Sequence, residues 1–137
     1  MERHQELTDH DFECQFRERT LPTSIFTHEA HLRLAWIHIR KYGIAQAKEN
    51  IQGQLQHYVK YHGAEAKYNH TVTIAAILIV YHFIKKTQTD TFSQFILKHP
   101  ELKSNFKGLI AFHYSFDIFK SKKARITYLE PDLLPFK

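Results

Sequence analysis

Apolar positions recur at spacings of three and four along most of this chain, and strict alternation is rare, so the pattern predicts helices throughout. Thr8 can cap a first helix in which Asp9 and Asp11 suit the positive end of the dipole; Phe12 and Phe16 share a face, and Pro22 closes it. A connector over 23–26 leads to a second helix capped by Thr27 and running to Tyr42, where Gly43 supplies a left-handed stop. Ile44, Ala47, Ile51, Leu55, Tyr58 and Val59 mark a third helix, closed by Gly63. After the loop 64–67, a fourth runs over about 69–86. Its centre, Ile74-Ala75-Ala76-Ile77-Leu78-Ile79-Val80, is apolar on every side and predicts a buried central helix.

Thr89-Asp90-Thr91 introduces a short helix carrying Phe92, Phe95 and Ile96, which ends near His99-Pro100. Leu102, Phe106, Ile110 and Tyr114 continue helical spacing over 101–119, with an expected interruption at Gly108. From Tyr128 to Phe136, Pro131 and Pro135 forbid a regular helix while the large apolar groups require cover, so this tail is expected to lie extended across the bundle. The fold class expected is therefore all-α: a single domain over 1–137, a bundle of about five to six helices with an extended C-terminal tail.

Composition narrows the picture. Four glycines and four prolines are too few for the turns of a many-stranded sandwich or barrel. The single Cys14 has no internal disulfide partner, which suits a reducing cytoplasm. The polar start Met1-Glu2-Arg3-His4 is unlike a signal peptide, and the run 72–80 is too short to cross a bilayer, so no membrane association is expected. The net charge of +5 makes anions candidate partners. It is dense only over Lys120, Lys122, Lys123 and Arg125, without interleaved aromatic residues, which reads as a solvated helix face rather than a nucleic-acid stripe. Arg125 is expected to pair with Glu130 or Asp132 and pin the tail. Nothing in the pattern sets an oligomeric state.

Candidate chemistry lies in His28 and His31, one helical turn apart and so on one face. With short loops, the second and fourth helices would run parallel, bringing these imidazoles to the same pole as His70, Thr71 and Thr73, where two helix dipoles favour an anion. His28, His31 and His70 would be the ligands if the site held a divalent transition metal, since a catalytic zinc takes three protein ligands and keeps one open position. Either His28 or His31 would serve as general base if the site is catalytic. The spacing is not that of the zinc-protease His-Glu-x-x-His motif. Trp36 and His38 read as core. His4, His82, His99 and His113 carry no distinguishing spacing.

Four segments together resemble a family of small bacterial proteins with no established activity. They are Phe26-Thr27-His28-Glu29-Ala30-His31-Leu32-Arg33-Leu34-Ala35-Trp36, Lys67-Tyr68-Asn69-His70-Thr71-Val72-Thr73, Tyr114-Ser115, and the stretch from Ser121 through Ala124-Arg125 to Glu130-Pro131-Asp132-Leu133. The resemblance covers about residues 12–135 and implies a single cytoplasmic helical domain with a His-x-x-His-Leu motif and a Tyr-His-x-Thr-x-Thr motif. This chain has Asn69 where the family pattern places its histidine, and His70 one position later, a shift that turns the imidazole by about 100° on a helix. The functional expectation is a small-molecule ligand, anionic in one version, bound by His28, His31, Tyr68, Asn69, His70, Thr71, Thr73, Tyr114 and Arg125. The alternatives are a His-based metal-dependent enzyme and a non-catalytic structural or interaction protein.

Overall fold

Capping explains where most of the helices begin. The computed structural model describes residues 1–136. In it Thr8, Thr27, Asn69, Thr91 and Ser121 each accept a hydrogen bond from the backbone N–H three residues on, satisfying a donor that a helix start leaves open. The chain is all-α among the described residues and falls into two compact units, Met1–Tyr68 and Asn69–Lys137.

The first unit contains α1 (Asp9–Arg17), α2 (His28–Tyr42) and α3 (Ile44–Tyr61), with single 3-10 turns at Arg3–Glu6, Thr23–Ile25 and Glu65–Lys67. α1 stops well before Pro22. Arg19 adopts a left-handed φ of 66°, which lets the N–H groups of Thr20 and Leu21 reach back to Gln15 O at 2.8 and 3.1 Å. Gly43, at φ 83°, ends α2 and starts α3 with no intervening loop, so the two helices fold back and pack on each other. The core is ring-rich. Phe16, Phe26 and Tyr58 have centroids 5.0–5.1 Å apart, and Tyr58 OH donates to Leu21 O at 2.7 Å. Trp36 is buried in this core, with the Arg40 guanidinium 4.4 Å from its ring centre. Each such buried large side chain stabilises the fold by roughly 1.5–3 kcal/mol.

The second unit contains α4 (His70–Lys86), α5 (Phe92–Lys98), α6 (Glu101–Ser104), α7 (Phe106–Ala111) and α8 (Lys122–Ile126). No residue of α4 from 70 to 84 is exposed, as its all-round apolar sequence requires. The helix expected over 101–119 is instead two short helices and a turn. Asn105 leaves helical geometry at φ −142°, a break that falls before Gly108 rather than at it. At the far end the Ser115 N–H bonds to Asp132 Oδ1 at 2.9 Å, so it does not continue the helical ladder. The tail runs extended over its own unit, with Leu133 N donating to His113 O at 3.0 Å. No helix among the described residues is long and apolar enough to cross a membrane.

Candidate functional site

The two histidines of the first motif differ in surroundings. His28 opens α2 at an exposed position. His31 stacks on Phe26 with ring centres 3.8 Å apart and donates from Nδ1 to Thr27 O at 2.8 Å. The residue is exposed, yet loss of water from the ring holds its pKa below the ordinary value, against the raising effect of the Thr27 carbonyl.

The buried polar residue of this turn is Glu29. Its Oε2 accepts from His4 Nε2 at 2.6 Å and from Gln5 Nε2 at 2.8 Å. Thr27, besides capping α2, donates its hydroxyl to Glu2 Oε1. Arg33, one turn along α2, reaches His4 O at 2.6 Å, Leu7 O at 2.8 Å and Asp9 Oδ1 at 2.9 Å, with its guanidinium 4.8 Å from the Phe12 ring centre. The N-terminal turn is thus clamped onto the start of α2. This cluster was not legible in the sequence, because its partners lie 24 to 29 residues apart and no spacing joins them.

Glu2, His4 and Glu29 each place one donor atom within 4.8 Å of the other two, the geometry that would admit a metal ion. The tautomer opposes it. A metal-bound imidazole donates its second N–H to an acceptor, whereas His4 Nδ1 faces a donor, Arg33 Nη1, at 3.4 Å. His4 therefore carries its proton on Nε2, toward Glu29. Burial, with Arg33 adding to it against the raising effect of Glu29, holds its pKa below the ordinary value. The arrangement reads as a structural clamp, with Arg33 Nε its one buried polar atom left without a partner among the described residues.

In the second unit the residues of the second motif hold the tail. Asn69 accepts from Val72 N at 3.0 Å and donates to Ile118 O at 2.9 Å. Thr71, fully buried, donates to Thr127 O at 3.0 Å and accepts from Leu129 N at 3.1 Å. Thr73 donates to Asn69 O at 2.7 Å. Tyr114, buried, donates to Leu129 O at 2.7 Å, and burial drives its phenol pKa strongly upward. Asn69, Thr71 and Tyr114 are thereby brought together around the segment 118–129. His70 is half-buried at the first position of α4, and Arg125 is exposed on α8. Tyr68 closes the first unit, where its hydroxyl accepts from Gln56 Nε2 at 3.5 Å. The group that pins Asp132 is Ser115, through both its backbone N–H and its hydroxyl.

The second unit also holds a cleft of about 270 Å³. Ile79, His82 and Phe83 of α4 form one wall, Leu109, Phe112 and His113 a second, and Leu134 to Phe136 of the tail a third. His113 stacks on Phe136 at 4.2 Å and donates from Nδ1 to Leu134 O at 2.7 Å, fixing the tail as a wall and leaving Nε2 as the ring's other polar atom. His82 has an edge contact with Phe83 and makes no hydrogen bond among the described residues. Its pKa is lowered by loss of water and then by Lys86, Lys85, His113 and His99, every one a group that is or can become a cation. Sequence reasoning passed over His82 and His113. The available signal was an imidazole set in the otherwise apolar stretch 74–84, together with a proline-bounded apolar tail that had to cover something.

Chemically, the two motifs singled out in the sequence act mainly as caps and fasteners, and the open, under-bonded imidazole lies in the cleft. No family model, curated protein or solved structure matches this chain.

Proposed function

We propose that this protein is a small-molecule binding protein and that the ligand occupies the α4, α7 and tail cleft of the second unit. The observation that carries this reading is a cleft of about 270 Å³ with mainly apolar walls, holding an imidazole, His82, that has no hydrogen-bond partner among the described residues. Ligand sites combine apolar walls with a few convergent polar groups at roughly 300–1,000 Å³, and this cleft lies just under that range, which suits a small ligand. The hydrogen-bonding groups of Asn69, Thr71, Thr73 and Tyr114 are engaged by backbone, which favours the cleft over the helix starts bearing His28, His31 and His70. With Cys14 a free thiol, the reading is of a protein working in the reducing cytoplasm.

The test is a side-chain NMR titration with small aliphatic and aromatic fragments at millimolar concentration. Shifts are expected at Ile79, Leu109 and His82, and a Leu109→Trp variant that fills the cleft should abolish them. Shifts that persist in the filled variant, or none with any fragment, would overturn the reading.

A further inference from the structure

We propose that the cleft selects an organic monocarboxylate, with the hydrocarbon part against Ile79, Phe83 and Phe112 and the carboxylate at His82 on the side of Lys86. This rests on the binding reading above and adds the charge of the ligand to it.

Charge is distributed unevenly along the chain. Residues 1–68 contain nine Lys and Arg against nine Asp and Glu, and residues 69–137 contain ten against five, so the whole net charge of +5 belongs to the second unit. Among the described residues of that unit the cleft walls contain no carboxylate. Lys86 places its ammonium 5.7 Å from the ring centre of Phe83, itself a wall residue, and makes no ion pair among the described residues. Lys85 lies 4.4 Å from the Tyr81 ring centre. Among the described residues the charged groups that act on His82 share one sign, and a cationic ligand head would be repelled there.

A neutral head would leave that field uncompensated, whereas a carboxylate would be stabilised by Lys86 and would draw a proton onto His82. The number of donors limits the anion. A phosphate monoester carries about two charges and needs several charge-assisted hydrogen bonds, as from an Arg fork or a backbone nest. Among the described residues the cleft offers the His82 ring and one nearby ammonium, and His113 Nε2 is an acceptor while Nδ1 donates to Leu134 O; so few donors match a single carboxylate. The aromatic and aliphatic walls fit a short hydrocarbon chain or one ring.

Calorimetry with two matched pairs tests the inference: hexanoate against hexanamide, and benzoate against benzamide, at pH 6.5 and low salt. The carboxylate of each pair should bind about tenfold more tightly than its amide, a ratio reachable with one charge pair in a partly desolvated site. The ratio should fall to about threefold or less in Lys86→Gln, an exposed position where the fold is not at risk, and at 0.5 M NaCl, where screening shortens the reach of the ammonium. The pKa of His82, followed by its ring NMR signals, should rise on saturation with hexanoate and stay fixed with hexanamide. Equal affinity for acid and amide, or a ratio unchanged in Lys86→Gln, overturns the charge assignment and leaves the cleft a binding site. Binding of neither member of either pair overturns both.

Discussion

The two halves of this chain solve the problem of holding a non-helical segment in opposite ways. In Met1–Tyr68 the N-terminal turn is held mostly through charged or ionisable side chains: His4 on Glu29, Arg33 on Asp9 and on two backbone carbonyls, and Glu2 on the Thr27 hydroxyl. Glu13, itself buried, is tied to the exposed Lys41 and Tyr42; burial alone would raise its pKa, but the two hydrogen bonds together with the nearby charges of Lys41 and His38 outweigh it and hold the carboxyl below its ordinary range. In Asn69–Lys137 the tail is held mostly by neutral side chains on backbone carbonyls, through Asn69, Thr71, His113 and Tyr114. A unit that matches nine cations with nine anions can tie its charges to each other. A unit with twice as many cations as anions leaves positive charge unmatched, and that surplus is what gives its cleft a sign.

The comparison predicts first that the charged clamp breaks hard. Arg33→Ala removes the donors to His4 O and Leu7 O, strips the partner from Asp9 and uncovers Phe12, and should destabilise the first unit by about 3–4 kcal/mol. Trp36, the single tryptophan, is buried in that unit and reports its urea transition by fluorescence. A loss below about 1 kcal/mol would show that the clamp is decorative.

Acid should come next. His38 is fully buried; Asn50 Nδ2 lies 3.4 Å from its Nδ1, and its Nε2 has no hydrogen-bond partner among the described residues. Burial lowers its pKa from 6.5 to about 4, against the pull of Glu13 and aided by Lys41 and Arg17. Because the folded pKa is depressed, the neutral ring's contribution is fully present above pH 6.5 and is lost as pH falls toward 4. The loss should reach about 3 kcal/mol. Trp36-detected urea midpoints should therefore fall across that window in the native chain and less steeply in His38→Gln. Equal slopes in both would assign the acid sensitivity elsewhere.

In the second unit single deletions should cost less. Tyr114→Phe removes only the hydroxyl that reaches Leu129 O, and Thr71→Val removes both of its backbone bonds to the tail. About 1 kcal/mol is expected for the first and about 1–2 kcal/mol for the second. Faster amide exchange should appear at Leu129. A global loss as large as that of Arg33→Ala would erase the distinction between the two units.

How far these features were legible in the sequence follows the range of the interactions that make them. α2 was readable to the residue, since Thr27 and Gly43 mark its ends by local chemistry alone. α4 was readable from its unbroken apolar run. The end of α1 was not, because Arg19 takes a left-handed conformation that favours glycine or asparagine. Nor was the end of the helical turns past Tyr114, where Asp132 captures the N–H of Ser115 from 17 residues away. The candidate site shows the same limit. The His28 and His31 spacing was visible, but the cleft draws its walls from three separated stretches near 79–83, 109–113 and 134–136, and no local pattern assembles them.

The smallest effect concerns one substitution made once in each unit. Gly53 sits inside α3 at an exposed position, and a methyl group added there meets nothing within 4 Å. Gly53→Ala should stabilise the protein by roughly 0.5–1 kcal/mol, because alanine loses less backbone freedom on entering a helix. Gly108 sits inside α7, but a methyl group there would come within 2.5 Å of the Asn105 amide. Asn105 is exposed and its side chain can swing away, so the helical gain is offset by the loss of that packing and Gly108→Ala should be close to neutral. Thermal unfolding of both variants beside the native chain decides it: a gain at 108 equal to that at 53 would mean that displacing the Asn105 side chain from Gly108 costs nothing.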